Sequence, residues 1–354
     1  MTKRNGKIEL LRFVFCILVL LYHIGKDYFD GGLHFGNYLT FFAHGRSGVE
    51  FFFILSGFFA AKNAYKLRDD KTPIGKASMN FMYKKTRTVF IPHLIVIFLT
   101  SIFILVSAES PLVKIWSKLP SILFLQQTGI TKTSANFISV EWYIASMLLA
   151  LAIIYPLLRK NYDVTARIVA PVGSVMLMGF LIRNYGKFPN SKEYHGWFYD
   201  SNFRAIAIIL LGVFAFEVSR IIVEKGIFER NKIMLIIVEN VCFIFAIYFT
   251  FSNLKKYESY LVAALFIAIT ICLSREVKCK FYNNKFVYLL GKLSLPIYLS
   301  QNVVRKVVQL YFADLRIRWQ AVIIVVLTIV VGILVQIITD QVEKLIAKRK
   351  ALVK

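Results

Sequence analysis

Acidic residues are scarce in this chain. Its 354 residues include 20 Asp and Glu against 44 Lys and Arg, a formal net charge of +24. Charged residues of both signs together reach only 18 %, where an ordinary soluble domain carries about 25 % to cover its surface. With 57 % hydrophobic residues and a mean hydropathy of +0.61, that shortage excludes a soluble globular protein. Cysteine is scarce too: Cys16, Cys242 and Cys272 lie in apolar runs and Cys279 in a basic loop. None has the spacing of a metal ligand, so no metal site is expected and the thiols read as core fillers. The basic residues are scattered between apolar runs and form no single patch, which argues against nucleic acid as a partner. No small-residue cleavage site follows the first apolar run, Ile8 to Ile24, so it reads as a retained helix and not a signal peptide. No internal repeat marks a transporter. No polar stretch is long enough for a second domain, and residues 1–354 are expected to form one unit.

What is present is a series of apolar runs near the length of a membrane-spanning helix, which needs about 20 apolar residues. Ten windows stand out, at roughly 8–28, 40–61, 89–107, 140–158, 165–183, 203–222, 233–251, 258–274, 286–304 and 320–339. The expected fold is an all-α integral membrane protein, with about ten transmembrane helices in one bundle and both termini cytoplasmic. With that orientation most of the lysines and arginines fall on the inner side, densest from Lys62 to Arg87, as the positive-inside rule requires. The plasma membrane is the expected location, with lipids as neighbours. Two outer loops, Ala108 to Ser139 and Asn184 to Asn202, exceed what a connection needs. The first contains an apolar piece, Ile122 to Leu125, that is expected to dip into the bilayer.

Ionisable residues inside the spans carry the functional reading, because each is costly in lipid and by default faces the protein interior. The first span holds Glu9, Arg12 and His23. Glu9 and Arg12 share a helix face at a separation of three. Arg12 and His23 also share a face and lie roughly 16 Å apart along the axis. The result is a polar stripe with Arg12 near the inner end and His23 near the outer end. Snorkelling of Arg12 and an interfacial His23 account equally well for position alone. Glu50 sits among phenylalanines in the second span and needs a partner or a proton. Ser56-Gly57 reads equally as a close helix contact.

Arg12-x10-His23, followed by the Gly-Val-Glu-x-Phe-Phe-x-x-Ser-Gly-Phe run from Gly48 to Phe58, resembles the membrane-bound acyltransferase-3 family. The resemblance continues through Lys84, Lys85 and Arg87 before Pro92, through Glu141-Trp142-Tyr143 to Leu158, and through Gly291 to Leu299. It departs at Gln301, where the family commonly has histidine, and at Glu50, where aspartate is often found. Members are multi-span acyltransferases, many of which O-acetylate surface polysaccharides.

The resemblance implies acetyl-CoA as donor co-substrate, with no bound cofactor, and a glycan as acceptor. Arg12, with Lys84, Lys85 and Arg87, would hold the donor phosphates or pantetheine arm. His23 would act as general base on a sugar hydroxyl, since neutral imidazole suits that task near pH 7; a covalent acyl-histidine is the other route. Glu50 would orient His23 or pair with Arg12, or else only lock two helices together. Glu141, beside Trp142, is a second candidate partner for His23, whereas His93 reads as structural. Trp197 and Tyr199, in an aromatic outer loop, would stack on sugar faces, or simply mark the membrane interface. A succinyl donor, or a transporter of glycan-related substrates without acyl chemistry, are the competing readings.

Overall fold

A computed structural model describes residues 4–29, 33–35, 39–41, 45–130, 136–188, 193–196, 198–251 and 258–352. The architecture is helical. In chain order it runs through α1 (Gly6–Tyr28), α2 (Gly48–Lys66), α3 (Ile74–Ser107), the short α4 (Pro111–Trp116), α5 (Trp142–Lys160), α6 (Tyr162–Val164) and α7 (Ala170–Tyr185). It continues with α8 (Asp200–Glu224), α9 (Ile227–Arg230), α10 (Lys232–Phe251), α11 (Glu258–Leu273), α12 (Lys285–Tyr311) and α13 (Ile317–Leu352). The only strands among the described residues are two antiparallel hairpins, Leu33–Phe35 with Leu39–Phe41 and Tyr194–His195 with Phe198–Tyr199. The chain is an integral membrane protein: among the described residues, seven helices are long and apolar enough to cross a bilayer.

Each of the ten expected windows overlaps a helix, but three of these helices are not among the seven. Two of these, α2 and α12, carry buried polar residues, and the third, α11, is short. The second window is displaced. Residues 39–41 are strand, a 3-10 turn covers Gly45–Ser47, and the helix starts only at Gly48. The basic stretch before the third window is largely helical: it begins in α2, turns through residues 67–73 and continues in α3, which runs for 34 residues from Ile74. Lysines and arginines are good helix formers, and Pro73 stands where the new helix begins.

Small residues set how closely the helices approach. A Cβ on Gly57 of α2 would run into the Ile209 carbonyl oxygen, and one on Gly212 of α8 into that of Ile54. The two helices therefore cross backbone to backbone, the small-residue contact expected within membranes. That answers the Ser56-Gly57 question for the glycine. On the other side of the bundle, α1 and α12 run parallel. Gly6 lies against Tyr282, Gly291 against Glu9, and the Cys16 thiol donates to the Ser294 carbonyl at 3.0 Å. Asn5 caps α1, its side chain accepting from the backbone N–H groups of Lys7 and Ile8 at 3.1 and 3.3 Å.

The segment after α4 is drawn into the protein. Ser121, Gln126 and Gln127 are buried, and Ser201 and Asn202 of α8 donate to the Gln127 side-chain and backbone oxygens at 2.7 and 2.8 Å. Within it Phe124 adopts a left-handed φ of 58°, strained for a bulky side chain. That conformation lays its ring on His93, with centroids 4.3 Å apart.

Candidate active site

Arg12 opens onto a cavity of about 410 Å³ between α1, α2, α3, α5, α12 and α13. Its charged lining comes from Arg4, Glu9, Arg12, Lys85, Lys292 and Glu343, and its apolar wall from Phe52, Leu55, Phe59, Tyr143 and Met147. The sequence explains the opening. Pro296 cannot donate to the Lys292 carbonyl, which loosens α12 where residues 291–296 face the cavity. Arg12 lies 3.6 Å from Glu9 across one helical turn and keeps a buried Nε without a hydrogen-bond partner. Lys292 is held by Asp340 of α13 at 2.6 Å. Ser56 also lines the cavity, its hydroxyl donating to the Met147 sulfur at 3.2 Å. Of the three basic residues expected beside Arg12, only Lys85 reaches it; Lys84 is exposed and Arg87 half-buried, and neither is part of the lining.

His23 lies further along the same face of α1, half-buried, with its ring edge-on to Tyr22 at 5.1 Å. It does not line the cavity. Within the cavity lining the rings of Tyr143 and Tyr298 meet edge to face at 5.9 Å, with the Tyr298 hydroxyl donating to the Val140 carbonyl at 2.7 Å. The charges that act on the His23 imidazole are those of Arg305 on α12 and Lys26 on α1.

The two carboxylates expected beside His23 are committed elsewhere. Glu50 is fully buried and accepts from Nε of Arg204 at 2.8 Å. It therefore neither orients His23 nor pairs with Arg12. Arg204 is itself only 2 % exposed, and Trp142 and Phe188 lie on its guanidinium, each ring centroid 5.6 Å away. Trp142 thus supports the Glu50–Arg204 pair through a cation–π contact at a buried site. The neighbouring Arg46–Glu258 pair, at 2.8 Å, reinforces the same corner, where Glu258 also accepts from the Phe188 backbone N–H at 2.7 Å. Glu141 faces His93: both are fully buried, with Oε2 and Nδ1 3.6 Å apart. Its expected pairing with His23 is therefore not made. The helix periodicity that places Glu141 at the start of α5 says nothing of α3, which brings His93 there.

Tyr199 is 8 % exposed, packed against Tyr194 at 4.9 Å between centroids where the hairpin leads into α8. It is an internal support and not an open platform for a sugar ring. Trp197 lies outside the described residues. Reading the sequence missed Arg204, Lys292 and Arg305. A signal for the first was available, because a glutamate amid phenylalanines demands a cation and Arg204 follows the start of an apolar run. No cluster of His, Cys, Asp or Glu able to hold a metal is found among the described residues.

Residues 5–337 match a family model described as an acyltransferase domain, Acyl_transf_3. No curated protein and no solved structure matches the chain.

Proposed function

Since the chain belongs to the acyltransferase-3 family, we propose that this acyltransferase moves an acetyl group from cytoplasmic acetyl-CoA to a hydroxyl of a glycan on or bound for the cell surface. The bundle sits in the plasma membrane with ten spans and both termini inside. The observation that carries this reading is the cavity at Arg12 lying on the same face of α1 as His23. Arg12 and Lys85, with Arg4 at the mouth, supply the charge for the donor's phosphates. The apolar wall of Phe52, Phe59 and Met147 suits the pantetheine arm, and the Tyr143 and Tyr298 rings extend that lining.

At His23 the imidazole takes the proton of the sugar hydroxyl as that oxygen attacks the thioester carbonyl. A C–O bond forms, the C–S bond breaks, and the imidazolium returns its proton to the departing thiolate. Acid and base roles thus fall on one ring, and neither Glu50 nor Glu141 is required for the proton. The test uses purified protein in sealed vesicles, oriented with residue 1 inside. Acetyl-CoA enclosed within and an acceptor glycan outside should give free CoA inside and acetylated glycan outside. Acetyl transfer only when donor and acceptor share a compartment would overturn the transmembrane relay, and glycan movement without CoA release would make the protein a transporter.

A further inference from the structure

The His23 end of the bundle differs in charge from the Arg12 end. In the cavity, cations stand with Glu9 and Glu343, and Lys292 is paired with Asp340. Arg305 of α12 and Lys26 of α1 act on His23, Arg305 being held against Asp27 one turn further along α1, and next to Arg305 the charge of Lys306 acts against those of Arg305 and of Lys118 from the inserted segment. Two carboxylates reach this group among the described residues. Asp27 stands 3.3 Å from Nε of Arg305, and Glu141 acts on Lys118 while facing His93.

Arg305 is the informative member. Its side chain is 11 % exposed, yet both Nε and Nη1 are buried without a hydrogen-bond partner. A guanidinium offers five donors in a fixed fork, and burying them unmet is costly. Among the described residues no carboxylate pairs with Lys26, Lys118 or Lys306, and Lys118 spends its ammonium on the Asn136 carbonyl at 2.7 Å. Burial lowers the Lys118 pKa from its ordinary value, with Glu141 pulling the other way. A neutral polyol needs none of this, because hydroxyls are bound by amides and aromatic faces. Several half-buried cations with unused donors are what an oxyanion requires.

We infer that the acceptor is an anionic sugar, bearing a carboxylate or a phosphate near the hydroxyl to be acylated, and that Arg305 with Lys306 binds that oxyanion beside His23. This deepens the acceptor half of the proposed reaction and rests on that reading. The guanidinium fork holds two anion oxygens and fixes the ring, while the lysines add charge without direction. The arrangement selects which sugar residue in a polymer is presented to the imidazole.

The test is binding without any acyl donor, on full-length protein in phosphatidylcholine nanodiscs, so that it stands apart from transfer. Methyl glucuronide is compared with methyl glucoside, and glucose 6-phosphate with glucose. The anionic member of at least one pair should bind about tenfold more tightly at low salt, and the margin should shrink as salt screens it. Arg305→Gln should remove the preference and the half-buried Lys306→Gln should reduce it. His23→Ala and Arg12→Gln should leave it, so loss of transfer in those variants does not bear on it. Equal binding of both members of both pairs overturns the inference, as does a preference that survives both Arg305→Gln and Lys306→Gln. If phosphatidylglycerol in the nanodisc abolishes the preference, the oxyanion is a lipid headgroup. If Arg305→Gln instead alters only the choice between succinyl-CoA and acetyl-CoA, the oxyanion belongs to the acyl group. Either result sinks the anionic acceptor.

Discussion

The two buried carboxylates, Glu50 and Glu141, invite comparison with the two residues of α1 that name the site, Arg12 and His23. Glu50 is enclosed, ion-paired with Arg204 and shielded by Trp142 and Phe188. Glu141 is equally enclosed, set against His93. Arg12 is 40 % exposed into a cavity and keeps a donor unused, and His23 is half-buried with no carboxylate partner among the described residues. Oε2 of Glu50 and both oxygens of Glu141 also lack a hydrogen-bond partner, so spare capacity is common to both kinds; the carboxylates face a complementary side chain inside the protein, while Arg12 faces a cavity and His23 the charges of Arg305 and Lys26. Burial of charge alone, the usual sign of function within a membrane, does not separate the two kinds; their partners do.

The largest test of that division is His23→Ala. It should reduce acetyl transfer by about 10²–10⁴-fold, the ordinary contribution of a general base, while insertion and thermal stability stay near wild type. Retention of more than a tenth of the activity, measured by CoA release, would remove His23 from the base role. Glu50→Gln should act on assembly first. Leaving Arg204 buried without its counterion costs about 3–5 kcal/mol, to be read as a lower unfolding midpoint in detergent. A stable Glu50→Gln protein with its chemical step abolished would move Glu50 to the reacting side of the comparison.

Arg12→Lys keeps the charge but loses the fork, and should raise the KM for acetyl-CoA by about tenfold, the equivalent of 1.4 kcal/mol. Separate titrations of donor and acceptor settle it, since a change confined to the acceptor's KM places Arg12 on the wrong substrate. Smallest is the effect of Glu141→Gln on kcat, expected within about threefold because Glu141 faces His93 and not His23; a general-base partner would show a loss of 10²-fold or more. Steady-state kinetics at saturating donor measure this.

The helical membrane fold was legible in hydropathy because every backbone group in lipid must be satisfied within its own segment. The limits of that legibility are instructive. The window at 40–61 starts eight residues ahead of α2, since hydropathy counts Phe41, Phe42 and Ala43 as apolar without registering that the helix starts at Gly48. Arg12 and His23 were readable as one stripe because both lie on a single helix, where periodicity fixes their relation. The partners of Glu50 and Glu141 were not, since Arg204 is 154 positions away from Glu50 and no local pattern sets that distance. Tyr199 was misjudged for a related reason: aromatic composition cannot distinguish a ring facing the outside from one packed on Tyr194.

That separation of 154 residues between Glu50 and Arg204 also sets a clock on biogenesis. At a synthesis rate of about 5–20 residues per second, α2 leaves the ribosome roughly 8 to 30 seconds before its counterion exists. The backbone crossing of Gly57 on Gly212 waits for the same event, because both contacts depend on α8. During that interval the nascent α2 carries a carboxylate and an unmatched glycine face with no intramolecular partner for either. It must be kept at the insertion machinery or the interface until α8 arrives, and synthesis slowed between α2 and α8 lengthens the exposure of the half-made bundle to quality-control proteases.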